Sequence, residues 1–135
     1  MTDTPLSEIM AELDDAWTPE GYERFLTLFR DSVVGIIATG PASQDGEGRT
    51  IAGPNLTARC TTRDDRRRRV LAYADPEASL RNFGPRFNAG ISGRVVLQMA
   101  ATDADCAGVL VNSAISEIFL IIDRSTAQVV TADQP

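Results

Sequence analysis

The chain has 135 residues, 43% of them apolar and 24% charged, with a net charge of −6. That is the size and balance of one globular domain able to bury a core, and no apolar run approaches the ~20 residues of a bilayer-spanning helix. All thirteen basic side chains are arginine, because lysine and histidine are absent. This excludes an imidazole general base, a histidine-activated nucleophile, a lysine Schiff base and a phosphate-loop ammonium; no cofactor, metal or catalytic residue is expected.

Charge is spread unevenly. Residues 1–31 hold eight acids against Arg24 and Arg30, a balance of −6, while the rest of the chain carries eleven acids and eleven arginines. Within that neutral part, the stretch from Arg59 to Arg69 holds six arginines against Asp64 and Asp65. Cys60 and Cys106 lie far apart without neighbouring ligands and read as free thiols. The acidic start (Asp3, Glu8, Glu12) is unlike a basic leader, and a cytoplasmic protein from a GC-rich bacterial genome is expected.

The first segment reads as two amphipathic helices. Thr4-Pro5 and Thr18-Pro19 each place a capping residue before a proline at the first helical position. Leu6, Ile9, Met10, Leu13 and Trp17 then form one apolar stripe, and Tyr22, Phe25, Leu26 and Phe29 a second. Val33 to Ala38 is a β-branched run leading into the Gly-rich loop Gly40 to Gly48. Asn55 to Thr62 alternates apolar and polar residues, Arg69 to Ala74 is strand-like, and the charged connection between them predicts an antiparallel hairpin with an exposed tip.

Asp75-Pro76-Glu77 restarts a helix, with Ala78 and Leu80 facing inward and residues 82–84 ending it. Phe87 to Gly93 reads as a flexible connection; Val95 to Ala100 fits a strand by its Val-Val pair and a helix by Leu97, Met99 and Ala100, and is read as a helix. Gly108 to Val111 and Glu117 to Ile122 are strands, the second apolar enough on both faces to belong in a sheet interior. Asp123 to Val130 adds a last short helix. The expected fold is α+β: a single compact domain with a mixed, mostly antiparallel sheet of about five strands, helices packed on it and a helical N-terminus.

Few motifs carry chemistry. Asp14-Asp15 and Asp64-Asp65 are adjacent rather than convergent carboxylates. Asp103 and Asp105 have the spacing that opens a calcium loop, but Ala107 and Ala114 stand where further oxygen ligands are needed. Ser92 has no histidine to activate it. The run Arg66-Arg67-Arg68-Arg69 reads first as the solvated, charged tip of the hairpin; if it binds, the lack of interleaved aromatics in an acidic chain argues against nucleic acid and toward carboxylates on a protein partner.

The segment "NLTARCTTRDDRRRRVLAYADPEASL" from Asn55, followed by "FNAGISGRVVLQMAATDADCAGVLVNSAISEIFLIID", resembles the N-terminal domain family of SseB proteins. The resemblance covers about residues 20–125 and rests on strand patterning and turn positions. It implies a compact α/β domain with no catalytic set, so no functional residue transfers. It also implies a division into an N-terminal helical extension (1–18), the SseB-like domain (19–130) and a tail (131–135).

The leading expectation is a non-enzymatic protein-interaction module, with Leu13, Trp17, Arg66, Arg67 and Arg68 as contact residues. Its partner is another protein or a second copy in a homodimer; neither nucleic acid nor membrane is expected. The alternative is a sensor of a small carboxylate metabolite such as an amino acid, bound by Arg86, Asn88, Arg94, Asn112 and Ser113 at one end of the sheet.

Overall fold

A computed structural model describes residues 4–39, 57–62 and 66–132. The Gly40 to Gly48 loop and the tip of the 55–74 hairpin at residues 63–65 lie outside the described residues. Helices α1 (Pro5–Asp15) and α2 (Pro19–Arg30) both start on proline, but only α2 is capped locally, by Thr18 Oγ1 accepting from the Gly21 amide at 3.0 Å. Thr4 makes no such cap. Its role passes to Asp75, distant in sequence, whose carboxylate accepts from the amides of Leu6 (3.4 Å) and Ser7 (2.8 Å). Those first-turn amides have no intrahelical partner, and a carboxylate at a helix N-terminus satisfies both charge and geometry.

Strand β1 (Val33–Ile36) and the short β2 (Ala38–Thr39) follow, then β3 (Thr57–Ala58), β4 (Cys60–Thr62) and β5 (Arg68–Tyr73). The single strand expected over residues 55–62 is broken at Arg59. Its first half, β3, pairs with β2, and its second half, β4, pairs antiparallel with β5. Arg59 is the pivot: its amide donates to Ile37 O (2.7 Å) while its carbonyl accepts from Leu71 N (3.0 Å).

Helix α3 (Pro76–Phe83) leads to β6 (Ala89–Ser92), α4 (Gly93–Thr102), β7 (Gly108–Asn112), β8 (Phe119–Asp123) and α5 (Arg124–Ala132). The connection expected across residues 87–93 is thus partly a strand, β6, antiparallel to β1 over four residue pairs. Its alternation is hidden in sequence because Gly90 and Ser92 contribute little pattern. In α3, Ala78 and Ser79 are buried, but Leu80 faces solvent at 50% exposure, contrary to its expected inward position.

The main sheet runs β6-β1-β5-β7-β8, with β4 also on β5. Only β5–β7 is parallel; the other pairings are antiparallel. The fold is therefore α+β with a mixed, mostly antiparallel open sheet. The Glu117–Ile122 segment is not central: among the described residues β8 ends the sheet and pairs only with β7. Its apolar character has another cause. Leu120 and Ile122 face the helices and are buried, while Phe119 remains 39% exposed on the other face.

Residues of one sheet face, Val34, Ile36, Val70, Ala72, Val109, Val111, Leu120 and Ile122, join Phe25, Phe29, Val96 and Leu97 in one core. Helices α4 and α5 lie on this face, α2 rests on both, and α1 packs on α2. Leu6, Met10 and Leu13 of α1 belong to the same core. Among the described residues, no helix is long and apolar enough to cross a membrane.

Candidate functional site

The parallel pair β5–β7 gives the sheet two distinct ends. At the end where both strands begin, Ala107 N donates to Arg68 O (2.7 Å) and Arg124 N donates to Ala107 O (2.8 Å). These two bonds tie together the start of β5, the approach to β7 and the start of α5. Gly108 makes this closeness possible. Its φ of 147° lies where side chains are rarely tolerated, and a Cβ there would fall 2.0 Å from Ile122 O.

Around this junction opens a cavity of about 610 Å³ lined by Arg66, Arg67, Arg68 and Arg124, with Asp105 and Asp123 among its other walls. Arg68 Nη2 pairs with Asp103 at 3.2 Å. Asp103 also folds the turn beside it, accepting from the Asp105 amide through Oδ1 (2.9 Å) and from the Cys106 amide through its carbonyl (3.0 Å). Arg66 sits at φ 59°, a left-handed conformation costly for a residue without a local hydrogen-bonding side chain. Arg124 Nε is buried with no hydrogen-bond partner in the structure. Asp105 and Asp123 in the lining and Asp103 on Arg68 leave the four guanidiniums an excess of one positive charge, and planar guanidinium forks match carboxylate geometry.

The other expected contact residues divide. Leu13 is 5% exposed, inside the chain's own core, which removes it from the surface pair expected with Trp17. Trp17 is 56% exposed and stacks on Tyr22 with ring centroids 4.7 Å apart. Tyr22 Oη donates in turn to Ile121 O in β8 at 3.4 Å. Burial and the nearby Asp123 carboxylate push the Tyr22 phenol up to about 12.

The five residues expected to hold a small ligand are not gathered into one lining. Arg86, Asn112 and Ser113 meet near the far end of β5 and β7, but Arg86 Nη2 is engaged by Ser79 Oγ (3.1 Å) and Ser113 O (3.2 Å). Its guanidinium also lies over Phe83 (4.2 Å) and Tyr73 (4.9 Å). Ser113 is fully buried, its hydroxyl accepting from Ile115 N. The Asn112 carbonyl accepts from Ala74 N at 2.9 Å.

Asn88 works as a piece of backbone, bonding both the amide and the carbonyl of Ala38. Arg94 pairs with Asp31 at 3.6 Å, at the start of α4. It follows β6, which β1 and β5 separate from β7, about 14 Å at the usual strand spacing. The hydrogen bond from Arg30, and then the charges of Arg30 and Arg94, hold Asp31 below the usual carboxylate range.

Arg124, Asp105 and Asp123 of the cationic cavity carried no local signal in the sequence. Only the parallel pairing of β5 with β7, which brings residues near 68, 106 and 124 together, would have revealed them. Among the described residues, no group of three His, Cys, Asp or Glu side chains is placed to hold a metal ion. No protein-family model, curated protein or solved structure matches the chain.

Proposed function

We propose that this protein is a non-enzymatic interaction module that binds a carboxylate-rich segment of a protein partner in the arginine-lined cavity. The observation that carries the reading is the convergence of Arg66, Arg67, Arg68 and Arg124 on one cavity. Guanidinium groups form charge-assisted, bidentate bonds with carboxylates, Arg66, Arg67 and Arg68 are exposed to a partner, and arginine is enriched at protein interfaces. The SseB resemblance, which implies no catalytic set, agrees with this reading, as does a sequence without histidine or lysine. A cytoplasmic setting belongs to the same proposal and is supported by Cys60 and Cys106 standing as free thiols.

The test is fluorescence anisotropy with a labelled oligoglutamate peptide. The wild type binds it with an affinity that falls as salt rises, an oligoglutamine control does not bind, and R66Q/R67Q weakens binding by about tenfold. Equal binding of both peptides, or no effect of the double substitution, would rule the reading out.

The cavity volume supports a second reading, a small carboxylate metabolite, because about 610 Å³ lies within the range of small-molecule sites. In that case free glutamate in calorimetry would bind at least as tightly as the peptide. The internal hydrogen bonds of Arg86 and Asn88 weigh against the sensing site expected around them.

A further inference from the structure

The chain carries an acidic counterpart to its own cavity. Residues Asp14 to Glu20, the corner between α1 and α2, are all exposed, and they place Trp17 between Asp14-Asp15 and Glu20. An exposed tryptophan flanked by carboxylates is a strong ligand for arginine, offering a ring face for cation–π contact and oxygens for the guanidinium forks.

The corner is also close to the cavity. Trp17 stacks on Tyr22, and Tyr22 bonds the carbonyl of Ile121. Asp123, two residues further along β8, lines the arginine cavity, and two strand residues span about 7 Å. The acidic corner and the Asp123 wall of the cavity are therefore linked through Tyr22 and β8, the last strand of the sheet among the described residues.

We propose that the Trp17 corner of one copy occupies the arginine cavity of a second copy, in a closed two-fold dimer with two equal contacts. Neighbouring, complementary patches satisfy the symmetry condition. A two-fold axis passing between them brings each corner onto the other copy's cavity, whereas widely separated patches would propagate into a chain of molecules. Trp17 is 56% exposed, so of the about 150–250 Å² of a full ring roughly half remains to be buried, and two indoles supply about an eighth of the area of a standard interface. The helices and β8 around the axis supply the rest. The proposal rests on the carboxylate-binding reading of the cavity, and the dimer is the state a competing acidic partner would open.

Sedimentation velocity over micromolar concentrations tests it, with thermal unfolding as the check that each variant is folded. The wild type dimerises in low salt and dissociates as salt rises, and W17A weakens the dimer by about tenfold or more. Charge reversal gives the sharper test. D14R/D15R and R66E/R67E are each monomeric alone, since each makes both contacts repulsive. Mixed, they form a heterodimer, because both contacts become attractive again. A wild type that stays monomeric at low salt, or a mixture that fails to associate, overturns the proposal. Oligoglutamate separates the two readings: a monomer that binds it overturns self-association alone, and a dimer that it disperses supports both.

Discussion

At Gly93 the start of α4 lies directly against the last turn of α2, and replacing it with alanine is expected to be among the more damaging single-methyl changes in the chain. Its amide donates to Ser32 O at 2.8 Å, holding the start of α4 against the end of α2. A Cβ at this position would fall 1.8 Å from Phe29 O, 2.7 Å from Phe29 C and 3.0 Å from Phe29 Cδ1. Carbon–oxygen contacts settle at about 3.3–3.6 Å, so the two backbones must part by about 1.5 Å. No flexible side chain can absorb this, since the obstructing atoms are main chain and a fully buried phenylalanine.

Parting the helices would loosen Val96, Leu97 and Ala100, all fully buried. Overpacking alone costs about 1–3 kcal/mol, and the lost core contact adds to it. We expect a loss of at least ~3 kcal/mol, a large share of the ~5–15 kcal/mol that holds a domain together. Thermal and urea unfolding would register it as a fall in Tm of about 10 °C or more. The matched control is Gly90→Ala, whose Cβ would sit 3.2 Å from the Val33 Cγ1 methyl and 3.9 Å from Val34 O. If Gly93→Ala unfolded within 1 kcal/mol of that control, the close helix approach would be wrong.

In β8, Ile122→Ala should cost ~2–5 kcal/mol because the side chain is fully buried, and Phe119→Ala distinctly less because it is 39% exposed; urea midpoints of the two variants check the order. Asp75→Ala removes the acceptor for two amides of α1 and should destabilise by ~2–3 kcal/mol, with hydrogen exchange rising first in residues 5–15. Tyr22 makes an alkaline prediction. Its phenol rises from 10.0 to about 12 on folding, so the neutral form stabilises the fold fully below pH 10 and that contribution is lost as pH climbs toward 12. Allowing for the partial exposure of the ring, it amounts to ~1–2 kcal/mol, and Tyr22→Phe should flatten the loss between those pH values in pH-dependent denaturation.

Much of the fold was legible because periodicity and caps are local. The stripes of α1 and α2, the helix expected over 95–100, which lies within α4, and the strand pattern at 69–74, which overlaps β5, each occupy a few consecutive residues. What escaped depended on distant partners. β6 is a strand because β1 lies beside it, not because AGIS has strand character. β8 looks central by composition, yet among the described residues no strand pairs beyond it, and its apolar residues are matched by the helices on one face. Asp75 reads as the cap of its own helix, but its backbone turns left-handed at φ 48° and its carboxylate serves α1 instead. The arginine run was visible in sequence, whereas Arg124 and the cavity they share exist only through the β5–β7 pairing.

The contact between α1 and Asp75 also has a meaning in time. Ser7 N bonds a side chain 68 residues later, and Ser7 Oγ accepts from Ala114 N, 107 residues later. At a synthesis rate of about 5–20 residues per second, the first of these partners emerges roughly 3–14 seconds after Ser7 and the second roughly 5–21 seconds after it. Throughout that interval Leu6, Met10 and Leu13 have no finished core to enter. The acids on the opposite side of the same helix, Glu8, Glu12, Asp14 and Asp15, remain exposed even in the finished fold. An apolar stripe waiting for its core is thus backed by a face of like charge, which repels other copies carrying the same face.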